Sequence, residues 1–168
     1  MRIGIDIDDT LVNTSESFDK VIKKYNVNFS KKYKDEWTKE ECDFIFNNYL
    51  EEFLLGATIK KDASKVLNYL SDKGHELIII TARSNRFCEN IKKETINFIN
   101  NNKLKINNIY FEQNEKVDIA KKLNIDLMID DNVKVYNNMI KNNIDCILFG
   151  DKIKTWQEVL KYIEDKEK

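Results

Sequence analysis

The chain has 168 residues, and 28 Lys and Arg against 29 Asp and Glu leave a formal net charge of -1. That length gives one domain with a real core and room for a small insertion, while the near-neutral charge offers no general attraction to nucleic acid or an anionic membrane, so any affinity for phosphate has to be local. No apolar run approaches a membrane span and the chain enters a strand without a signal-peptide pattern, so a cytoplasmic protein with no membrane partner is expected.

The first predicted element is the most informative. The segment Arg2-Ile3-Gly4-Ile5-Asp6-Ile7-Asp8-Asp9-Thr10-Leu11 reads as a short buried strand of the parallel-sheet kind, Ile3 to Asp8, that runs out into carboxylates. Side chains two apart on extended backbone point the same way, so Asp6 and Asp8 converge at the sheet edge where open α/β folds bind ligands. Carboxylates so close repel unless a cation or proton stands between them, and a divalent metal is the natural third party. An EF-hand loop beginning at Asp6 would need Gly where Leu11 stands, Glu where Ser17 stands and a helix before it. Capping of the next helix is the plainer alternative for these carboxylates.

About fifty residues then separate this strand from a helix beginning near Asp62, far more than a usual strand-to-helix connection. Phe18, Val21, Ile22 and Tyr25 fall at helical spacing behind an Asn13–Glu16 cap pair, and Thr38 with Glu41 forms a capping-box pattern before a helix carrying Phe44, Ile45, Tyr49 and Phe53. The segment reads as a small helical subdomain laid over the strand tips. Its aromatics, Phe18, Tyr25, Phe29, Tyr33, Trp37, Phe44, Phe46, Tyr49 and Phe53, are expected mostly to form its own core, with at least one of Phe18, Tyr33, Trp37, Phe44 or Tyr49 facing a ligand.

Beyond it, strands alternate with helices. A helix over Ala63 to Lys73 stops at Gly74, a residue suited to the left-handed position after a helix. Strands are predicted at Glu76 to Thr81, Asn108 to Phe111, Asp126 to Asp130 and Asp145 to Phe149, with helices in the Lys116–Leu123 and Tyr136–Ile140 stretches. This alternation gives an α/β fold of Rossmann-like, three-layer type, a five-stranded parallel sheet covered on both faces. Cys42, Cys88 and Cys146 are odd in number and widely spaced, against both a disulfide framework and a zinc site. His75, the single histidine, reads as a strand-start residue, which removes the chemistries that need a catalytic imidazole.

Three later strand ends add chemistry. Thr81-Ala82-Arg83-Ser84 places a hydroxyl at the sheet edge, with a helix expected to start at once and its amides to complete a phosphate cradle, and Arg83 offers a bidentate grip on an anion. Lys116 opens a helix, where the helix dipole disfavours a cation, so local structure does not explain it and a phosphoryl site does. Asp130-Asp131-Asn132 closes the fourth strand with a second carboxylate pair.

Together, Asp6, Asp8 and Thr10 in Asp-x-Asp-x-Thr, Thr81 ending an apolar strand, Lys116 opening a helix and the Asp130–Asp131 strand end resemble the haloacid dehalogenase-like phosphohydrolase superfamily, in its order and over nearly the whole chain. The stretch Lys116-Val117-Asp118-Ile119-Ala120-Lys121-Lys122-Leu123, the Ile129-Asp130-Asp131-Asn132 strand end and Trp156-Gln157-Glu158-Val159 are similar to the 5'(3')-deoxyribonucleotidase branch. The resemblance implies a core domain of residues 1–12 and 57–168 with a helical cap at 13–56. It also implies an Asp6 nucleophile that forms an aspartyl-phosphate, with Asp8 as acid and base. Mg2+ would be held by Asp6, the Asp8 carbonyl, Asp130 and Asp131, and Thr81 and Lys116 would neutralise phosphoryl charge. Arg83 is a candidate substrate-binding residue, as is Thr10, chiefly through the loop geometry. Many relatives have Gly where Asp9 stands.

The function expected is that of a magnesium-dependent 5'-nucleotidase of (deoxy)nucleoside monophosphates, monomeric or homodimeric. A sugar-phosphate or other metabolite phosphatase is the alternative of the same chemistry. A nucleic-acid end phosphatase is weakened by the neutral charge, and a catalytically silent binding protein of this fold would be expected to lack Asp6, Asp8 or Lys116.

Overall fold

Each strand is short because apolar runs of three to five residues suffice to cross a sheet buried on both faces. β1 (Arg2–Ile5), β2 (Glu76–Ile80), β3 (Asn108–Tyr110), β4 (Leu127–Asp130) and β5 (Asp145–Leu148) lie parallel in the order β3-β2-β1-β4-β5, and Ile5 of the central strand pairs with Ile79 on one side and Ile129 on the other. The computed structural model describes residues 1–27 and 37–168. The expectations for Phe29 and Tyr33 fall outside the described residues.

Period-two alternation divides the sheet between two cores. Ile3, Ile5, Leu77, Ile79, Leu127 and Ile129 join Val66, Leu67 and Leu70 of α3 (Ala63–Asp72) and Trp156, Val159 and Ile163 of α7 (Trp156–Lys166). Ile78, Ile80, Met128 and Cys146 pack with Ala120 of α5 (Lys116–Lys122) and Met139 of α6 (Val133–Lys141). Gly4 sits where Met128 crosses β1: a Cβ there would stand 2.7 Å from Met128 Sδ. The expected stop after α3 is met by Gly74 at φ +90°.

The long connection after β1 contributes α1 (Thr14–Lys24) and α2 (Lys39–Leu55). Val21, Ile45, Leu50 and Phe53 form a third apolar cluster, into which Cys88 and Ile91 project from the chain leading into α4 (Ile91–Asn101). Thr38 and Glu41 make the reciprocal capping box expected before α2. No helix among the described residues is long and apolar enough to cross a membrane.

Two local expectations are corrected. Asn13 does not cap α1 with its side chain, because its amide is taken up elsewhere, donating from Nδ2 to Thr58 Oγ1 (3.3 Å) and accepting at Oδ1 from Lys60 Nζ (3.1 Å). The helix after β2 does not begin at Thr81 but ten residues later, at Ile91. The intervening loop turns away from the strand with Arg83 N bonded to Thr81 Oγ1 (3.2 Å), and the Thr81 carbonyl accepts from Gln113 N (2.9 Å), so the first turn of α4 does not supply the amides expected beside Thr81.

Candidate active site

The carboxylates gather where the central strands end. Beyond β1 the chain stays beside β4 for one more residue, Asp6 N donating to the Ile129 carbonyl (3.0 Å). It then turns back on itself, with Leu11 N (2.8 Å) and Val12 N (3.0 Å) both donating to the Ile7 carbonyl. Asp9 stands in this turn at φ 57°, left-handed backbone that Gly adopts freely and Asp tolerates better than most residues. Its carboxylate finds work that a glycine could not do: it accepts from Ser15 N (2.8 Å) and Ser15 Oγ (2.5 Å), capping α1 in place of Asn13.

Asp6, Asp130 and Asp131 each bring a carboxylate oxygen within 4.8 Å of the others. Lys116, buried at the start of α5, donates from Nζ to Asp6 Oδ1 (2.5 Å) and Asp130 Oδ2 (2.7 Å), and Asp130 Oδ1 also accepts from Asn132 N (2.9 Å). Three carboxylates against one ammonium leave negative charge uncompensated. Burial, with repulsion from Asp130 and Asp8, pushes Asp6 up to about 7 in spite of the pull of Lys116, and burial with repulsion from Asp130 and Asp9 pushes Asp131 up to about 6. An oxygen-only donor set short of positive charge fits magnesium, which takes few carboxylates and completes its shell with water and phosphate oxygens.

Asp8 lies in a different environment. Arg83 grips it from two sides, Nη2 to Oδ1 at 2.7 Å and Nε to Oδ2 at 3.1 Å, and Thr14 Oγ1 donates to Oδ1 at 2.7 Å. Burial would raise its pKa, but the bonds and charge of Arg83 and the Thr14 hydroxyl outweigh burial and hold it below the usual carboxylate range. Arg83 is only 9% exposed and spends Nη1 on Thr95 Oγ1 (3.0 Å). The anion it holds in this structure is therefore Asp8, where the sequence suggested a substrate.

Thr10 is fully buried, its hydroxyl 3.4 Å from Asp131 Oδ1 and its carbonyl accepting from Trp156 Nε1 (3.1 Å). Thr81, also buried, is the first residue beyond β2, one past the strand end expected, and among the described residues no hydrogen bond joins its side chain to Asp6 or Lys116. Thr14, Thr95 and Trp156 were not legible as site residues. Their roles depend on partners 6, 12 and 146 positions away, and no local pattern marks them.

A cavity of about 280 Å³ opens beside this loop. Asp8, Asp9, Thr14 and Ser15 line one part, and Phe18, Trp37, Phe46 and Phe53 line another. Of the five aromatics expected to offer a ligand-facing ring, Phe18 and Trp37 reach the cavity, Phe44 and Tyr49 are absent from its wall, and Phe46 and Phe53 join it instead. Phe18 is packed between Phe53 (centroids 5.2 Å, edge-on) and Trp37 (5.5 Å). Phe46, 44% exposed, is the more open ring.

No family model matches the sequence. A protein of Oceanobacillus iheyensis, provisionally named a nucleotidase, is 27% identical over 165 residues, with 88% of this chain and 86% of that protein covered. A predicted phosphatase from Clostridium acetobutylicum superposes with a TM-score of 0.65 at 15% identity over 98% of both chains. A HAD-superfamily hydrolase of subfamily IA from Geobacter sulfurreducens gives 0.64 at 9% identity over 96% of this chain and 95% of its own. A HAD-superfamily hydrolase from Ehrlichia chaffeensis gives 0.57 at 12% identity over 99% and 97%. Such low identities speak to architecture, and the chain has the fold of the haloacid dehalogenase-like hydrolases, in keeping with the resemblance its motifs carry.

Proposed function

We propose that the protein is a magnesium-dependent phosphohydrolase of small phosphomonoesters, and that its substrates are nucleoside monophosphates. The observation that carries this reading is the clustering of Asp6, Asp130 and Asp131 at the strand tips, with one buried lysine on Asp6 and Asp130, more negative charge than that lysine balances and a setting that suits a phosphoryl group with its cation.

In this reading a phosphomonoester that binds as its monoanion passes its proton to Asp8, an Asp6 carboxylate oxygen attacks phosphorus, and the ester oxygen leaves with that proton from Asp8. Asp8 then takes a proton from the water that cleaves the acyl phosphate, which returns Asp6 to its carboxylate. The ionised Asp8 held by Arg83 corresponds to the form that accepts this proton. Asp6, the Asp8 carbonyl and the Asp130–Asp131 pair would hold magnesium, which when bound neutralises charge on the phosphoryl oxygens. Lys116 contributes to the same neutralisation, and Thr81 is assigned a hydrogen bond to a phosphoryl oxygen.

Residues 13–56 act as a cap over a core of residues 1–12 and 57–168. Support for a nucleotide comes from the name of the Oceanobacillus relative and from the aromatic wall beside Asp8 and Asp9. The polar part of that wall, Asp9, Thr14 and Ser15, suits the hydroxyls of any phosphorylated sugar, and the aromatic part has a use only if a flat base is attached to it. The test is phosphate release from a panel of nucleoside monophosphates, sugar phosphates and p-nitrophenyl phosphate, with magnesium and with chelator. Magnesium-dependent turnover that favours the nucleotides is expected; turnover of sugar phosphates alone would replace the substrate, and absence of turnover on the whole panel would remove the phosphatase reading.

A further inference from the structure

A second cavity, of about 490 Å³, shares no wall residue with the aromatic one. Lys60 and Lys61 from the chain entering α3, Lys154 from the chain entering α7, and Asn13, Phe149 and Trp156 line it. Most lysines of the fold with an ion partner find it within 4 Å, as Lys24 does with Glu52 and Lys134 with Glu115. Lys60, Lys61 and Lys154 form no such pair among the described residues. Lys60 Nζ instead donates to the amide oxygen of Asn13 (3.1 Å) and lies 5.5 Å from the centre of the Phe149 ring. Asp62 is the acidic residue of the wall, and its carboxylate is 4.0 Å from Lys65, outside the cavity. At the N-terminus of α7 the Glu158 carboxylate accepts from the Lys154 and Thr155 amides and the Thr155 hydroxyl, which sets a negative charge beside Lys154.

Glu16 feels the charge of Lys60 and Glu158 that of Lys154, so with Asp62 in the wall the three lysines leave a concave site of small net positive charge on a chain of net charge -1. We propose that it binds a phosphate-bearing anion, and that the loop carrying the carboxylates senses its occupancy. Lysine ammoniums on flexible stems suit a phosphate as compact point charges, and the volume admits a phosphomonoester as well as inorganic phosphate. Two wall residues tether the loop directly. The Trp156 indole holds the Thr10 carbonyl (3.1 Å), and Lys60 holds the Leu11 carbonyl from its backbone N–H (2.9 Å) and Asn13 from its ammonium. An anion drawn to Lys60 competes with Asn13 for that ammonium, at the point where the loop enters α1. Inorganic phosphate and a phosphomonoester present the same dianionic group, and titration separates them.

The test uses the full chain labelled with 15N, in EDTA and at low salt, so that the uncompensated carboxylates at the strand tips repel phosphate and screening is weak. Inorganic phosphate and, separately, a nucleoside monophosphate are titrated while the indole N–H resonances of the two tryptophans, Trp37 and Trp156, are followed. Trp156 should shift saturably, and the Lys61→Gln, Lys154→Gln double variant should bind at least about tenfold more weakly, as expected on losing two charged contacts. The ligand with the tighter curve identifies the source. Absence of a saturable Trp156 shift in both titrations, an unchanged curve in the double variant, or a shift confined to Trp37 would overturn the proposal. None of these outcomes depends on catalytic activity, so failure here is separate from failure of the phosphohydrolase reading.

Discussion

The ammonium of Lys116 lies 2.5 Å from Oδ1 of Asp6, a residue 110 positions earlier in the chain. Both side chains are buried, where an unpaired charge is costly and a paired one is held in place by its partner. α5 opens on Lys116 against the preference of its own dipole, and the contact with Asp6 and Asp130 explains why.

Replacing Lys116 with Met should therefore do two things. It leaves Asp6 and Asp130 without their ammonium, which should lower stability by about 3 to 5 kcal/mol in chelator, with part of the loss recovered on adding magnesium. Phosphate release should also fall by roughly a hundredfold or more. Denaturant unfolding with and without magnesium checks the first effect, and an unchanged midpoint in chelator would show that the pair contributes nothing.

Asp6→Asn should keep the fold, because the amide fits the same space and removes a repelling charge, yet it should abolish phosphate release, an amide being a poor nucleophile. Chelation should silence the wild-type protein and magnesium should restore it. Full turnover by the variant, or indifference to chelator, counts against an aspartyl-phosphate route.

The raised carboxylates set a pH dependence of stability. Asp6 at about 7 and Asp131 at about 6 bind protons more tightly in the folded than in the unfolded chain, whose value is 3.8. Their contribution is therefore most favourable below pH 3.8 and is lost as pH rises from there to about 7. Asp8, shifted downward, contributes in the opposite sense, its stabilisation being present above the unfolded value and lost only in stronger acid. In EDTA, the difference in unfolding free energy between wild type and Asp6→Asn should move against the wild type from pH 5 to 7.5. Magnesium should flatten that trend and be taken up with release of protons. A pH-independent difference in EDTA would mean that Asp6 is not raised.

Much of this site was legible because strand-end chemistry is local. Ile3, Ile5 and the alternation of strands and helices fix the sheet, and a carboxylate or threonine at a strand's carboxyl end needs only that sheet to be placed at the common edge. What was not legible depended on contacts across the fold. Arg83 looks like an anion ligand in sequence, and it is one, but its bidentate partner is Asp8, 75 residues away. Asp9 looked like an intrusion into a glycine position, until its φ of 57° and its bonds to Ser15 showed a turn residue that also caps α1. The helical spacing that groups Phe44, Ile45, Tyr49 and Phe53 does not resolve the faces of α2: Ile45 and Phe53 line the cavity with Phe46, while Phe44 and Tyr49 pack on each other away from its wall.

If Asp8 is the acid and base, Asp8→Asn should slow hydrolysis of alkyl phosphates severely and of p-nitrophenyl phosphate much less, since that leaving group needs little protonation. Because Arg83 fixes the Asp8 carboxylate from two sides, Arg83→Lys should show the same selective loss in weaker form, one point charge replacing a planar fork. Ratios of kcat/KM for the two substrate types measure this. Equal losses on both would separate Asp8 from the leaving group.

The last prediction concerns the aromatic wall. Phe18 is wedged between Phe53 and Trp37, so Phe18→Ala should act mainly on stability, by about 3 to 5 kcal/mol if the cavity it leaves does not collapse. Phe46 lines the same space with 44% of its surface still exposed and its ring edge-on to Phe53 at 6.5 Å, so cutting it back removes one aromatic contact from the wall. A ring so placed gains most from a flat aromatic ligand, and stacking on a nucleobase is worth about 1 to 3 kcal/mol, roughly five- to a hundredfold in affinity. Phe46→Ala should therefore raise KM for a nucleoside monophosphate by that factor, leave kcat nearly unchanged, and have a smaller effect on p-nitrophenyl phosphate, whose ring is smaller and sits closer to phosphorus. Initial rates on both substrates, alongside a thermal melt, decide it. A parallel change in both KM values with an unchanged melting temperature would take Phe46 out of base recognition and leave the nucleotide assignment without its physical support.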